Sequence, residues 1–202
     1  MEPPILKADT HEYFSGDALI PGVTTILKPI IDYSDIDPNV LKHKAMLGTY
    51  VHFATELYDT GILDFNSLDP LITPYVSAWV KFLDDTDFII EQTEHVVFYE
   101  RYLYAGTLDR VGLLNDCRIV LDIKCVSTLT NAVGVQLSAY QEAENSIRKK
   151  ADHIKKRFAL QLKPDSSYRL EPYSNKTDFK IFTSLLTVYN WRLKNGNSTS
   201  TW

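Results

Sequence analysis

Apolar positions along the chain change their spacing twice. Over residues 40–58 they recur every three to four positions, with Val51, Ala54, Thr55 and Tyr58 on one face, which predicts a helix. Residues 70–83 repeat that pattern through Tyr75, Trp79 and Phe82. From residue 88 the spacing becomes that of strands, with β-prone apolar runs at 88–90, 94–99, 105–114 and 118–124. Helical spacing returns over 131–150. Residues 157–162 and 168–171 then read as a hairpin across Pro164-Asp165-Ser166, and a last helix spans 176–194. Near the start, 11–14 and 18–20 flank Ser15-Gly16-Asp17 as a small hairpin. Pro21-Gly22 ends it, and Thr24 or Thr25 caps a short helix through Ile26-Leu27. The pattern predicts a mixed α/β fold, a central sheet flanked by helices.

The two strands at 105–114 and 118–124 carry the chemistry. Asn115-Asp116 between them tolerates the positive φ of a two-residue hairpin turn. Such a turn sets Asp109 directly opposite Asp122, with Lys124 on the same sheet face. Facing carboxylates repel, so a cation is expected between them. Mg²⁺ and similar hard cations take oxygen ligands and keep several waters. A lysine beside them can orient a water or offset phosphate charge. The alternative is a surface Asp/Lys pair, which the apolar neighbours Val120, Leu121 and Ile123 disfavour.

Further candidates surround this pair. Gln136 and Tyr140 share a helix face with Ala143 and Ile147, either as site support or as ordinary core positions. His52 is a metal ligand, a partner of Glu56 or a core histidine. Glu94, with Glu91 as competitor, is a ligand or a solvated strand-end acid.

The chain has 202 residues, 45% hydrophobic and 23% charged, enough for one domain over 1–194 with a polar tail at 195–202. Its formal charge of −5 does not announce a nucleic-acid binder. Arg148, Lys149, Lys150, Lys155, Lys156 and Arg157 nevertheless cluster, as a solvated helix end or a local phosphate contact. Two cysteines, Cys117 and Cys125, are too few for a Cys₄ zinc or iron–sulfur site. The sequence shows neither a signal-peptide core nor an apolar run of transmembrane length, which predicts a cytoplasmic protein with no membrane partner.

In chain order the candidates are Gly48-x-x-x-His52, Glu94, Gly106-Thr107-Leu108-Asp109, Asp122-Ile123-Lys124 and Gln136-x-x-x-Tyr140. Together they resemble the RecB-like branch of the PD-(D/E)XK nuclease superfamily. The stretch Ile20-Pro21-Gly22-Val23-Thr24-Thr25-Ile26-Leu27 resembles the N-terminal entry of mitochondrial genome maintenance exonucleases and small phage relatives. Gly22 stands where Ser is usual, and Cys125 where Thr often follows the lysine. The resemblance covers residues 11–194 and implies a restriction-endonuclease-like core with an N-terminal hairpin and helical extension. It implies that Asp109, Asp122, the Ile123 carbonyl and His52 bind Mg²⁺ or Mn²⁺, with Glu94 at a second-metal side. Lys124 would activate water, while Gln136, Tyr140, Gly48 and Thr107 support the site or touch DNA. It implies a DNA exonuclease of recombination, repair or replication, acting on single-stranded ends without an iron–sulfur cluster. A phage or bacterial setting follows, with phage or host recombination proteins as partners. Tyr50, Phe53 and Tyr104 read as base-stacking aromatics or as core. A structure-specific or restriction-type endonuclease, a non-catalytic DNA-binding module and a metal enzyme with another substrate remain alternatives.

Overall fold

A computed structural model describes residues 2–7 and 10–196. Most of the predicted tail therefore lies outside the described residues. A three-stranded sheet comes first: β1 (Ile5–Lys7), β2 (Glu12–Ser15) and β3 (Ala18–Ile20), paired antiparallel in that order. Gly16 turns the predicted hairpin with φ +57°. β1 was not predicted, being only three residues long. Helix α1 (Val23–Leu27) begins from Gly22 at the N-cap, so Thr24 and Thr25 lie inside the helix rather than capping it.

Helix α2 (Pro38–Asp59) starts earlier than its apolar spacing indicates. The Asp37 carboxylate caps it by accepting from Asn39 and Val40 N–H, and Pro38 fits the first turn. Helix α3 (Thr73–Thr86) follows, ending at Asp87 in the left-handed region. The main sheet comprises β4 (Ile89–Tyr99), β5 (Tyr104–Leu114), β6 (Cys117–Lys124), β7 (Lys156–Leu162) and β8 (Tyr168–Tyr173), in spatial order β4-β5-β6-β7-β8. The β6–β7 pair is parallel and the others are antiparallel, so the sheet is mixed. Parallel pairing needs a crossover, which α4 (Asn131–Ile147) supplies. Helix α4 stops three residues short of the predicted end, where Arg148 turns to extended backbone. Helix α5 (Asp178–Asn195) closes the described chain.

Two apolar layers sandwich the sheet. One face packs on α1, α4 and α5 through residues including Val111, Val120, Tyr140 and Phe182. The other packs on α2 and α3 through Val51, Trp79, Phe82, Ile119, Leu121 and Ile123. The alternation of β6 explains the split, since odd positions face α2 and α3 while Val120 faces α4. Tyr104, a stacking candidate, is core: it is fully buried and its hydroxyl donates to the Ala139 carbonyl. No described helix is long and apolar enough to cross a membrane.

Candidate functional site

The β5–β6 hairpin turns where expected. Asn115 and Asp116 both have positive φ, and Leu114 pairs with Cys117. The register runs back through Leu113–Arg118, Gly112–Ile119 and Val111–Val120 to Arg110–Leu121, and there the ladder ends. Asp109 and Asp122 are next in that register, but the strands have parted. The Asp109 Oδ2 accepts the Ile123 N–H at 2.5 Å, so a side chain takes over a backbone's bond.

The cause lies partly in β4, which combines two predicted strands into one. Its register shifts between Ile90 and Gln92, and Glu94 sits at φ +44°. No Glu94–Asp109 pair forms, although Thr93–Arg110 and His95–Leu108 pair on either side. Leu108 and Val111 both join the α4-side core despite an odd separation, so the alternation of β5 is interrupted between them. The irregularity turns the two acids, Glu94 and Asp109, into the gap.

Helix α2 brings His52 to this gap. Nε2 lies 3.0 Å from the Ile123 carbonyl, and Nδ1 lies 3.6 Å from both Glu94 Oε1 and Asp109 Oδ1. His52, Glu94 and Asp109 offer ligand atoms all within 4.8 Å of one another. Of the two candidate acids, Glu94 lies beside His52 and Asp109, whereas Glu91 pairs with Arg118 at 2.7 Å. Nor is His52 a partner of Glu56. Gly48, one turn earlier, has open space where a Cβ would be.

On the α4 side, Lys124 Nζ lies 2.7 Å from Asp122 Oδ2. Nζ also donates to Gln136 Oε1 at 3.2 Å, and Gln136 Nε2 donates to the Tyr140 hydroxyl at 3.1 Å. Gly106 makes room for this relay, because a Cβ there would come within 2.6 Å of the Tyr140 ring. Ala143 continues the buried helix face as predicted, but Ile147 is exposed at the helix end. Thr107 reaches the site only indirectly. Its hydroxyl bonds Tyr13 at 2.9 Å, tying the small sheet to β5.

The sequence reading passed over Arg110. It is fully buried and donates to Asp59 Oδ2 at 2.7 Å, Glu94 Oε1 at 3.0 Å, Thr55 Oγ1 at 3.1 Å and the Asp109 carbonyl at 2.7 Å. Asp59 also accepts from the Trp79 indole at 2.8 Å. The available signal was a guanidinium between Asp109 and Val111 in a strand apolar enough to be central. Such a group requires carboxylate partners.

Electrostatics follow from this crowding. Burial opposes the His52 imidazolium, but Asp109 and Glu94 outweigh it and push its pKa up to about 9. Burial, reinforced by Asp122 and Glu94, pushes Asp109 up to about 6 against the pull of His52 and Lys124. Burial also works against the Lys124 ammonium, yet Asp122 and Asp109 hold its pKa above the usual lysine value. Burial pushes the Cys125 thiol up to about 12, so it offers no thiolate at neutral pH.

The donor set suits a hard divalent cation. Carboxylates of Glu94 and Asp109 converge with the His52 imidazole, the Ile123 carbonyl lies on the other ring nitrogen, and Asp122 stands next to this group, paired with Lys124. Counting Asp59, four carboxylates meet two permanent cations, Arg110 and Lys124. The local deficit equals one divalent ion. Without it, a proton on His52 reduces the deficit up to about pH 9, and one on Asp109 does so only below about pH 6.

No family model and no curated protein sequence matches the chain. Among solved structures it is similar to an alkaline exonuclease (LHK-Exo) from Laribacter hongkongensis, at 10% identity over 86% of this chain and 87% of that one, with a TM-score of 0.42. A likeness that distant establishes neither a shared family nor a shared site.

Proposed function

We propose that this protein is a divalent-metal-dependent deoxyribonuclease, specifically an exonuclease that hydrolyses phosphodiester bonds from single-stranded ends. The observation that carries the reading is convergence. Five short motifs spread from residue 48 to residue 140 meet where β5 and β6 part. Each motif is weak alone, and their shared location is what the resemblance to RecB-like nucleases requires.

Asp109, Asp122, Glu94, His52 and the Ile123 carbonyl would hold Mg²⁺ or Mn²⁺. The bound cation would supply charge neutralisation at the scissile phosphate and acidify a water. Lys124 begins as an ammonium, held between Asp122 and Gln136. From there the ammonium would donate to a phosphate oxygen or orient the attacking water. Gln136 and Tyr140 keep the lysine aimed at the gap. Arg110 holds Glu94 in place through Oε1, the same oxygen that faces His52.

The test is cleavage of end-labelled single-stranded DNA with Mg²⁺, Mn²⁺ or EDTA, beside a covalently closed circle. Metal-dependent release from ends and an intact circle are expected. Asp122→Asn and Lys124→Ala should each lose at least about 10²-fold in rate. Absent or EDTA-resistant cleavage would sink the nuclease reading, and a cut circle would replace it with an endonuclease.

A further inference from the structure

The basic cluster of residues 148–157 has no part in the site described above, and the fold divides it. Arg148 turns to Glu144 and Gln92. Arg157 is buried against Asp178 and the carbonyls of Gly134, Tyr173 and Asn175. Lys155 and Lys156 do neither. They line a cleft of about 640 Å³ between α4, the start of β7 and the end of β8. Lys176, twenty positions later, lines the same cleft from the segment before α5.

The described lysines with carboxylate partners are Lys81 and Lys124, so Lys155 and Lys176, and Lys156 at the rim where its strand turns the side chain away from α4, carry no ion pair among the described residues. Among the described residues, Glu142 is the one acid lining the cleft. An acidic chain of net charge −5 therefore concentrates unneutralised positive charge in one concave place. The cleft also adjoins the candidate site. Tyr173 forms its wall, and the Tyr173 hydroxyl donates to the Thr130 carbonyl at the start of α4, whose next turns carry Gln136. The Tyr173 ring packs so closely on α4 that a Cβ at Gly134 would come within 2.6 Å of it. Tyr173 also lies in the field of Asp122 and Lys124.

We infer that this lysine cleft is a second contact for the nucleic-acid strand, binding backbone phosphates of the substrate outside the hydrolytic gap. The inference rests on the nuclease reading and extends it. Lys155, Lys156 and Lys176 act as point charges on phosphates, giving affinity without base preference.

The test is fluorescence-anisotropy binding of labelled single-stranded DNA in EDTA, across a salt series and a series of oligonucleotide lengths. A variant carrying Lys155→Gln, Lys156→Gln and Lys176→Gln is compared with Lys81→Gln, whose ammonium already pairs with Asp85. The triple variant should lose about tenfold in affinity at moderate salt, and its log–log salt slope should shrink by about 2. It should also lose the gain in affinity that the wild type shows with longer oligonucleotides, while Lys81→Gln keeps slope and length dependence. Circular dichroism melting verifies that the triple variant is folded. If it misfolds, the three single Lys→Gln variants should each shrink the slope by about 0.7. Unchanged binding by folded variants of a wild type that cleaves DNA overturns the cleft and leaves the nuclease reading intact. A wild type that neither binds nor cleaves DNA overturns both.

Discussion

Two buried ionic clusters pack against the main sheet, and they are built differently. Arg157 meets one carboxylate, Asp178, at 3.1 Å, and its other donors go to three backbone carbonyls. The charges balance, and the guanidinium ties β7, β8, α4 and the segment before α5 together. At the parted end of β5 and β6, carboxylates outnumber cations, and the pKa values of His52 and Asp109 are both pushed up, to about 9 and about 6. The first cluster is complete within the chain. The second is complete only with added positive charge. That imbalance distinguishes a site from a structural ion pair more sharply than burial does, because both are buried.

Removing one partner from each cluster should have opposite consequences. Arg157→Met should cost about 3–5 kcal/mol, because it leaves Asp178 and three carbonyls unpaired in the interior. Urea denaturation would measure this, and a loss below about 1 kcal/mol would mean the cluster is not the clamp its geometry implies.

The unbalanced site should instead respond to pH. His52 has a folded pKa of about 9, above its ordinary 6.5. Its contribution is therefore full below pH 6.5 and is lost as pH rises through about 9. In EDTA, stability should fall by up to about 3 kcal/mol across that window. His52→Asn should flatten the fall, and an unchanged profile in that variant would refute the assignment.

Asp109→Asn sharpens the contrast by its sign. The cost of the Asp109 charge is absent below its ordinary pKa of 3.8 and complete above about 6. At pH 8 in EDTA, the neutral isostere should therefore stabilise the protein, by about 1–3 kcal/mol. Thermal melts of the two variants should shift in opposite directions, down for Arg157→Met and up for Asp109→Asn.

How much of this was legible in the chain depends on how local each cause is. The Asn115-Asp116 turn acts over four residues, so the register of the hairpin followed from sequence. The end of its ladder did not, because the irregularity includes Glu94 on β4, fifteen positions before Asp109. The Arg110 network was equally hidden, since Thr55 and Asp59 come from α2, about fifty residues away. The division of the basic cluster was hidden for a related reason. Neighbours in a strand face opposite ways, so Lys156 is exposed and Arg157 buried. The helices were legible from periodicity, with ends misjudged where Asp37 and Arg148 set them.

The claim that the parted strands hold a divalent cation is tested most directly by calorimetric titration of Mn²⁺ into the metal-free protein at pH 7.5, in two buffers of different ionisation enthalpy. The account predicts saturable binding with buffer-dependent heat, because His52 gives up a proton to become a ligand. Asp109→Asn and Asp122→Asn should weaken that binding at least tenfold. Absent binding, or binding that survives both substitutions unchanged, would contradict it.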